Sequence, residues 1–375
     1  MKTVALELQP CCGSRSGIGT YTWELARRVK DDSKLRFQGN VFNFLGRNDN
    51  RAALSQISIP INESRLFPYG IYRRIWNYIP FYYDNFFSSK ADLSVFFNYI
   101  VPPRIKGKVI TTVYDMTYRR FPETMDARNL RRLNNGIDYS IARSDRIITI
   151  SNFSKHEIID LLDVKPEKIS VVTCAPNFSD EIVSEETLKL QYGIKKPFLL
   201  YVGNIEPRKN LSQLLLAFTE MKKKGIPHSL VIAGNKGWQT DAFDKTLAEC
   251  IYRDDIILTG FISAAIKNTL YKNAAAFVYP SLYEGFGIPP LEAMHFNCPV
   301  ICSNAASLTE VVGDAARLVD PMDKESIVTG VLQVLEDTEY ATLLVQRGKE
   351  RAHHYSWDMS AQNFVSICKE VLEIT

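Results

Sequence analysis

The chain has 375 residues, 46% of them hydrophobic and 23% charged, with 45 Lys and Arg against 42 Asp and Glu and a formal charge of +3. That balance excludes a disordered or fibrous chain and bulk electrostatic binding of nucleic acid, and the length predicts two domains of roughly 150 to 200 residues rather than one core. The cysteines number seven, an odd count without C-x-x-C spacing, which argues for a reducing cytoplasm over a disulfide framework or a zinc site. No window reaches the roughly 20 apolar residues of a spanning helix, so the expected protein is cytoplasmic, in solution or held on a membrane surface.

Short apolar runs alternate with helical patterns from end to end. Val4 to Leu8, Gln38 to Leu45, Leu93 to Phe97, Val109 to Val113, Arg146 to Ile150 and Ile169 to Val172 predict buried strands. The series then restarts with Phe198 to Val202, His228 to Ala233, Ile256 to Leu258, Ala276 to Tyr279, Val300 to Cys302 and Ala316 to Val319, separated by helices near 210–224, 240–251, 263–273 and 290–296. Such alternation predicts an α/β class with parallel sheets covered by helices on both faces, and two series predict two doubly wound domains. The polar stretch from Asn177 to Pro197 marks the boundary, giving domains over 1–180 and 181–357, followed by a helix over 358–375.

Ligands of open α/β sheets bind beyond the carboxyl ends of the strands, so the loops after strands carry the search. The first, GSRSGIGTYTWEL, has Gly13, Gly17 and Gly19 before a helix expected from Thr20. It reads either as an anion loop at a helix N-terminus or as a tight strand-to-helix turn, since it does not match G-x-G-x-x-G. The aromatic stretch FPYGIYRRIWNYIPFYYDNFFSS at 67–89 reads by default as core; the other reading is an acceptor or membrane-interface surface, extended by Arg119, Arg120 and the basic stretch 128–143. In GNIEPRKNL, Arg208 and Lys209 stand at a helix start, where cations oppose the helix dipole unless an anion is present. A diphosphate fits that anion, with a guanidinium fork beside a compact ammonium.

The stretch PSLYEGFGIPPLEAM then places Glu284 and Glu292 on either side of Gly285, Phe286, Gly287 and a proline pair. Proline suits the first position of a helix, so the helix is expected to open at Pro289 or Pro290 with Glu292 in its first turn. The carboxylates can accept hydroxyls of a sugar or ribose while the glycine turn offers backbone amides. The five histidines have no metal-pair spacing, and none is assigned to a metal.

AFVYPSLYEGFGIPPLEAMHFNCPVICSNAASLTEVVGDAARLVDP together with YVGNIEPRKNL resembles the retaining GT-B glycosyltransferases of the large E-x7-E family, which includes bacterial mannosyltransferases and glycogen and sucrose synthases. The resemblance runs from the glycine loop to RAHHYSW at 351–357 and is strongest over 200–321. It implies two Rossmann-like domains facing across a cleft, with the C-terminal helix packed back on the first. It further implies that Glu284 and the amides of Gly285, Phe286 and Gly287 hold the donor sugar, and that Glu292 accepts from the ribose. Arg208 and Lys209 would neutralise the diphosphate in place of a metal ion, with no other cofactor; Gly17 and Gly19 would face it, and the base would lie near Gly234, Phe261 and Ile262. Two positions depart from the family pattern: Tyr114 stands before Asp115 where many relatives have histidine, and Asn204 follows Gly203 where relatives often have arginine.

The expected reaction is therefore sugar transfer from a nucleotide sugar to a hydroxyl with retention, through a front-side displacement in which the leaving phosphate helps deprotonate the acceptor. A covalent route through Glu284 is disfavoured, because the glutamates are committed to hydroxyls rather than flanking a scissile bond. PRKN and SLYEGFGIPPLEAM most resemble bacterial O-antigen mannosyltransferases, which implies GDP-mannose as donor, a glycan or lipid-linked acceptor in lipopolysaccharide assembly, and contact with the inner membrane surface. UDP and dTDP sugars remain open as donors, as do a nucleotide-sugar epimerase and a non-catalytic nucleotide-sugar-binding subunit.

Overall fold

The computed structural model describes residues 1–13, 16–87, 90–179 and 181–374. Ser14 and Arg15 of the glycine loop, Ser88 and Ser89 of the aromatic stretch, and Asp180 in the expected boundary lie outside the described residues.

The apolar runs form two parallel sheets. The first contains β1 (Lys2–Glu7), β2 (Leu35–Phe42), β3 (Ile61–Ser64), β4 (Leu93–Phe96), β5 (Lys108–Thr112), β6 (Arg146–Thr149) and β7 (Ile169–Val171), in the order β3-β2-β1-β4-β5-β6-β7. The second contains β8 (Phe198–Val202), β9 (Ser229–Ala233), β10 (Ile256–Gly260), β11 (Ala276–Tyr279), β12 (Val300–Ser303) and β13 (Arg317–Val319), in the order β10-β9-β8-β11-β12-β13. Central strands such as β4 and β11 are buried at every residue, which is why they read as unbroken apolar runs rather than alternating ones. The edge strand β3 was not foreseen; its sequence, Ile-Asn-Glu-Ser, carries no apolar run and pairs only with β2.

The chain divides into two compact units, 1–118 with 127–174 and 356–375, and 119–126 with 175–355. In the first, the helix Trp357–Val371 lies against the glycine-loop helix and the sheet: Trp357 and Tyr21 rings are 5.8 Å apart, Phe364 and Phe97 6.0 Å, and Ser360 Oγ donates to the Thr173 carbonyl at 2.9 Å. The short segment Arg119–Asp126, read above as part of the first domain, belongs to the second unit. Phe121 packs 5.6 Å from the Tyr283 ring, and Trp238 Nε1 donates to the Thr124 carbonyl at 2.6 Å; contacts so distant in sequence leave no local pattern.

The aromatic stretch divides between two roles. Tyr72, Tyr83 and Phe87 join Phe42, Phe96 and Val109 in a buried cluster, whereas Ile71, Tyr78, Phe81 and Tyr82 are exposed.

Candidate functional site

In the second sheet the strand order reverses between β8 and β11, so the loops that follow these neighbours diverge and leave a crevice at their carboxyl ends. Two contacts tie the loops together across it: Leu282 N–H donates to the Arg208 carbonyl at 2.9 Å, and Asn210 Nδ2 to the Pro280 carbonyl at 3.2 Å. Arg208 and Lys209 lie in a single 3-10 turn, Pro207–Lys209, and Asn210, at φ 58°, starts the helix Leu211–Lys223. The left-handed Asn210 turns the chain sharply, aiming both cations at the opposite loop.

Glu284 receives them. Its Oε1 accepts from Lys209 Nζ at 2.5 Å and from the Tyr279 hydroxyl at 2.9 Å, and its Oε2 from Arg208 Nη1 at 2.8 Å. Arg208 also donates to the Tyr283 carbonyl and, through Nη2, to Glu206 Oε1 at 3.1 Å. Burial pushes the Glu284 carboxyl up, but Arg208 and Lys209 outweigh it and hold the group at about 2. Lys209 is pushed down from its ordinary value by burial, against the pull of Glu284. Tyr279, held well above 10 by burial, stays a hydroxyl donor at neutral pH.

The anion that balances these cations is thus built in. The sequence leads one to expect a diphosphate there; in the structure Glu206 and Glu284 supply two carboxylates against one guanidinium and one ammonium. Glu206, buried and two residues before Arg208, was not singled out from the sequence, although an i, i+2 charge pair in a turn was visible there.

The turn after Glu284 is fixed from behind. Ser307 Oγ lies 2.8 Å from the carbonyls of both Glu284 and Phe286. Gly287 sits at φ 114°, and a Cβ there would come within 2.5 Å of Leu308 Cδ2, so only glycine fits. Gly285, Phe286 and Gly287 are buried, with the Phe286 ring edge-on to Tyr355 at 5.2 Å.

Glu292 departs from its expected place. The helix begins at Ile288, Pro289 and Pro290 occupy its second and third positions, and Glu292 falls in the second turn. There it pairs with Lys267 Nζ at 2.6 Å and accepts from the Tyr271 hydroxyl at 3.0 Å, two partners from the preceding helix that the sequence reading did not assign.

The other expected donor residues of this unit lie on neighbouring strand ends. Gly234, at φ 151° after β9, stands where a Cβ would meet the Gly203 carbonyl oxygen at 2.0 Å, so the loops after β8 and β9 pack backbone on backbone. Asn204 is exposed, and its carbonyl accepts from the Tyr201 hydroxyl at 3.1 Å. Phe261, just past β10, is 79% exposed, with Ile262 half-buried beside it.

In the first unit, Gly17 and Gly19 open the helix Gly17–Ala26, three residues earlier than Thr20, because the Ser16 hydroxyl caps it and accepts from Gly19 N–H at 3.3 Å. Tyr114 is 7% exposed, its ring 5.3 Å from Tyr21 and 5.7 Å from Tyr99, which makes it a packing residue of that unit's core. Asp115 Oδ1 accepts from Thr117 N–H at 3.0 Å, a local turn bond.

Residues 184–351 match the family Glycosyl transferases group 1. O-antigen chain mannosyltransferase B of Escherichia coli is 33% identical over 266 residues, covering 70% of either chain. The chain belongs to the group 1 glycosyl transferases. O-antigen chain mannosyltransferase RfbU of Salmonella typhimurium is 30% identical over 225 residues, 60% of either chain. Among solved structures, sucrose-phosphate synthase of Thermosynechococcus elongatus matches with a TM-score of 0.75 at 16% identity over 100% of both chains. HepE of Anabaena, in complex with UDP and glucose, gives 0.72 at 16% identity over 99% of this chain and 100% of its own. At such identity the likeness speaks for the fold, two parallel α/β sheets of the GT-B type.

For this glycosyltransferase the crevice offers a defined chemistry. An ionised carboxylate has about four acceptor positions, and among the described residues Lys209, Tyr279 and Arg208 occupy three of those of Glu284. No helix among the described residues is long and apolar enough to cross a membrane.

Proposed function

We propose that the protein transfers mannose from GDP-mannose, with retention, to a hydroxyl of a glycan or lipid-linked acceptor in bacterial O-antigen or related polysaccharide assembly. The observation that carries this reading is the bonding of Glu284 by Arg208 and Lys209 at the reversal point of the second sheet. Its remaining acceptor position takes a donor-sugar hydroxyl, and the two cations stabilise the negative charge that develops on the departing diphosphate, without a metal or other cofactor. Held ionised and bonded on both oxygens, Glu284 is poorly suited to donate a proton or to attack carbon. This favours front-side departure, in which the leaving phosphate draws the proton from the acceptor. Phe261, open to solvent, gives a base a ring to stack on, and Glu292 takes the ribose by exchanging Lys267 or Tyr271 for a hydroxyl. The mannosyltransferase relatives support the sugar.

A UDP donor is the second reading, favoured by the nucleotide bound to the structurally similar HepE. Thermal unfolding with GDP, UDP, dTDP and ADP, without metal, separates the two. GDP at a hundredfold excess over its Kd is expected to stabilise the native protein by about 2.7 kcal/mol, with the other nucleotides near zero. A shift with UDP alone overturns the GDP assignment, and none with any nucleotide overturns the donor site itself.

We also infer contact with the cytoplasmic membrane face. Exposed Ile71, Tyr78, Phe81 and Tyr82 stand with exposed Arg74 and with Lys106, whose Nζ is 4.5 Å from the Tyr82 ring, a mixture of rings and cations suited to an anionic lipid surface. The protein is expected to sediment with vesicles containing anionic lipid and to stay in the supernatant with zwitterionic ones. Paired replacement of Tyr78 and Phe81 by serine is expected to reduce binding at least about tenfold, from the apolar area removed; sedimentation that ignores both changes refutes the contact.

A further inference from the structure

The first sheet has the same reversal, between β1 and β4, and a second polar cluster gathers there. Glu7, the last residue of β1, is 5% exposed, and its Oε1 has no hydrogen-bond partner among the described residues. Arg132, from the helix Ala127–Arg143, donates Nη2 to Asn98 Oδ1, just past β4, at 3.1 Å, while its buried Nε has no partner among the described residues. Arg73, from the helix Tyr69–Ile75, holds its guanidinium 5.8 Å from the centre of the Tyr69 ring. Tyr69 hydrogen-bonds the Glu7 carboxyl, and Arg73 acts electrostatically on both Glu7 and Arg132.

The charges here do not cancel as they do around Glu284. Burial pushes Glu7 up to about 8, with Tyr69, Arg73, the Gln9 backbone and Arg132 opposing only in part. At neutral pH the cluster therefore holds two guanidiniums beside a protonated acid. Arg132 is pushed down from its ordinary value by burial first and then by Arg73, the mark of two cations sharing a poorly solvated place. Such an arrangement is costly without an anion, and guanidiniums pair well with phosphate. A protonated carboxyl both donates and accepts, which suits a hydroxyl next to that anion.

We propose that Glu7, Arg73 and Arg132 form a binding site for a sugar phosphate, the arginines on the phosphate and Glu7 on a ring hydroxyl. As the acceptor site it rests on the transferase reading above. The phosphate can come from a soluble sugar phosphate or from the head of a lipid carrier.

The test is titration calorimetry at pH 6.5 with mannose 1-phosphate, methyl α-mannoside, and mannosyl phosphate esterified to a dodecyl chain. The phosphorylated sugar is expected to bind at least about tenfold tighter than the methyl glycoside, and Arg73→Met and Arg132→Met each to weaken it about tenfold or more, the worth of a charged hydrogen bond. Arg208→Met is expected to leave it unchanged. Tighter binding of the dodecyl ester supports the lipid source, and equal binding the soluble one. Of the groups around Glu7, Cys12 is pushed up to about 12, and Tyr69, Tyr72 and Tyr83 are raised by burial, while a guanidinium does not deprotonate in this range. Glu7 thus titrates alone between about pH 7 and 9, and affinity should fall across that range in the wild type but not in Glu7→Gln. A merely structural glutamate gives no such difference.

Binding that survives both first-unit arginine changes but is lost in Arg208→Met overturns the proposal, because the donor loop is then reading the phosphate. So does absence of binding in a protein whose unfolding still responds to a nucleoside diphosphate, a result that leaves the transferase reading intact. The same nucleotide response in Arg73→Met and Arg132→Met shows that they are folded.

Discussion

Glu284→Gln should lower kcat/KM with GDP-mannose by about 100-fold to 1000-fold, the range seen when one preorganised polar group is removed from a reacting centre. Glutamine keeps the volume and can still reach Tyr279, but it removes the negative charge between Lys209 and Arg208, and the geometry of both cations depends on that charge. Stability changes too, since breaking a buried ion pair from one side costs about 3–5 kcal/mol. The wild-type carboxyl, lowered from 4.5 to about 2 in the folded state, contributes stability that is complete above pH 4.5 and disappears as the pH falls toward 2. That contribution is about 3 kcal/mol by linkage, and the acid unfolding of Glu284→Gln should be flatter over the same interval. Steady-state kinetics and pH-dependent thermal unfolding check both parts. Unchanged turnover in a folded Glu284→Gln protein refutes the role given to this carboxylate.

Arg208→Met should cost about as much, again roughly 100-fold to 1000-fold in kcat/KM, by withdrawing the guanidinium proposed to face the diphosphate and leaving Glu206 without its ion-pair partner. Because Arg208 and Glu284 hold each other in place, the double variant should be little worse than the poorer single one, as for residues that act as a unit. The measurement is a double-mutant cycle in kcat/KM. Losses that simply multiply would mean that the two groups work separately.

The parts of the molecule legible in the sequence are those governed by nearest neighbours. Apolar runs such as Phe198–Val202 and Ala276–Tyr279 located their strands to the residue, because a strand buried on both faces tolerates little else. The glycine turn and the adjacent Arg208 and Lys209 were equally visible, since unusual backbone or charge placement shows in a short window. Ser307, Lys267 and Tyr279 escaped because their partners lie more than twenty residues away in the chain, at Glu284 and Phe286, Glu292 and Lys209; Glu206, whose pair with Arg208 is local, was visible but not singled out. The start of the helix at Ile288 was missed by reading Pro289 or Pro290 as its first residue, whereas both fit further inside the first turn. The cluster around Glu7 shows the limit most clearly: its three ionisable members stand at positions 7, 73 and 132, on one strand and two helices, and only the fold brings them to one place.

The helix Trp357–Val371 has a consequence for how the protein is made. It buries Trp357, Ala361, Phe364, Ile367 and Val371 in the first unit, yet the ribosome delivers it after every residue of the second. Domains generally fold as units in the order of synthesis. Here the second unit has its whole chain in hand first, and the first unit waits, with the Tyr21 and Phe97 side of its core uncovered, for this helix to emerge.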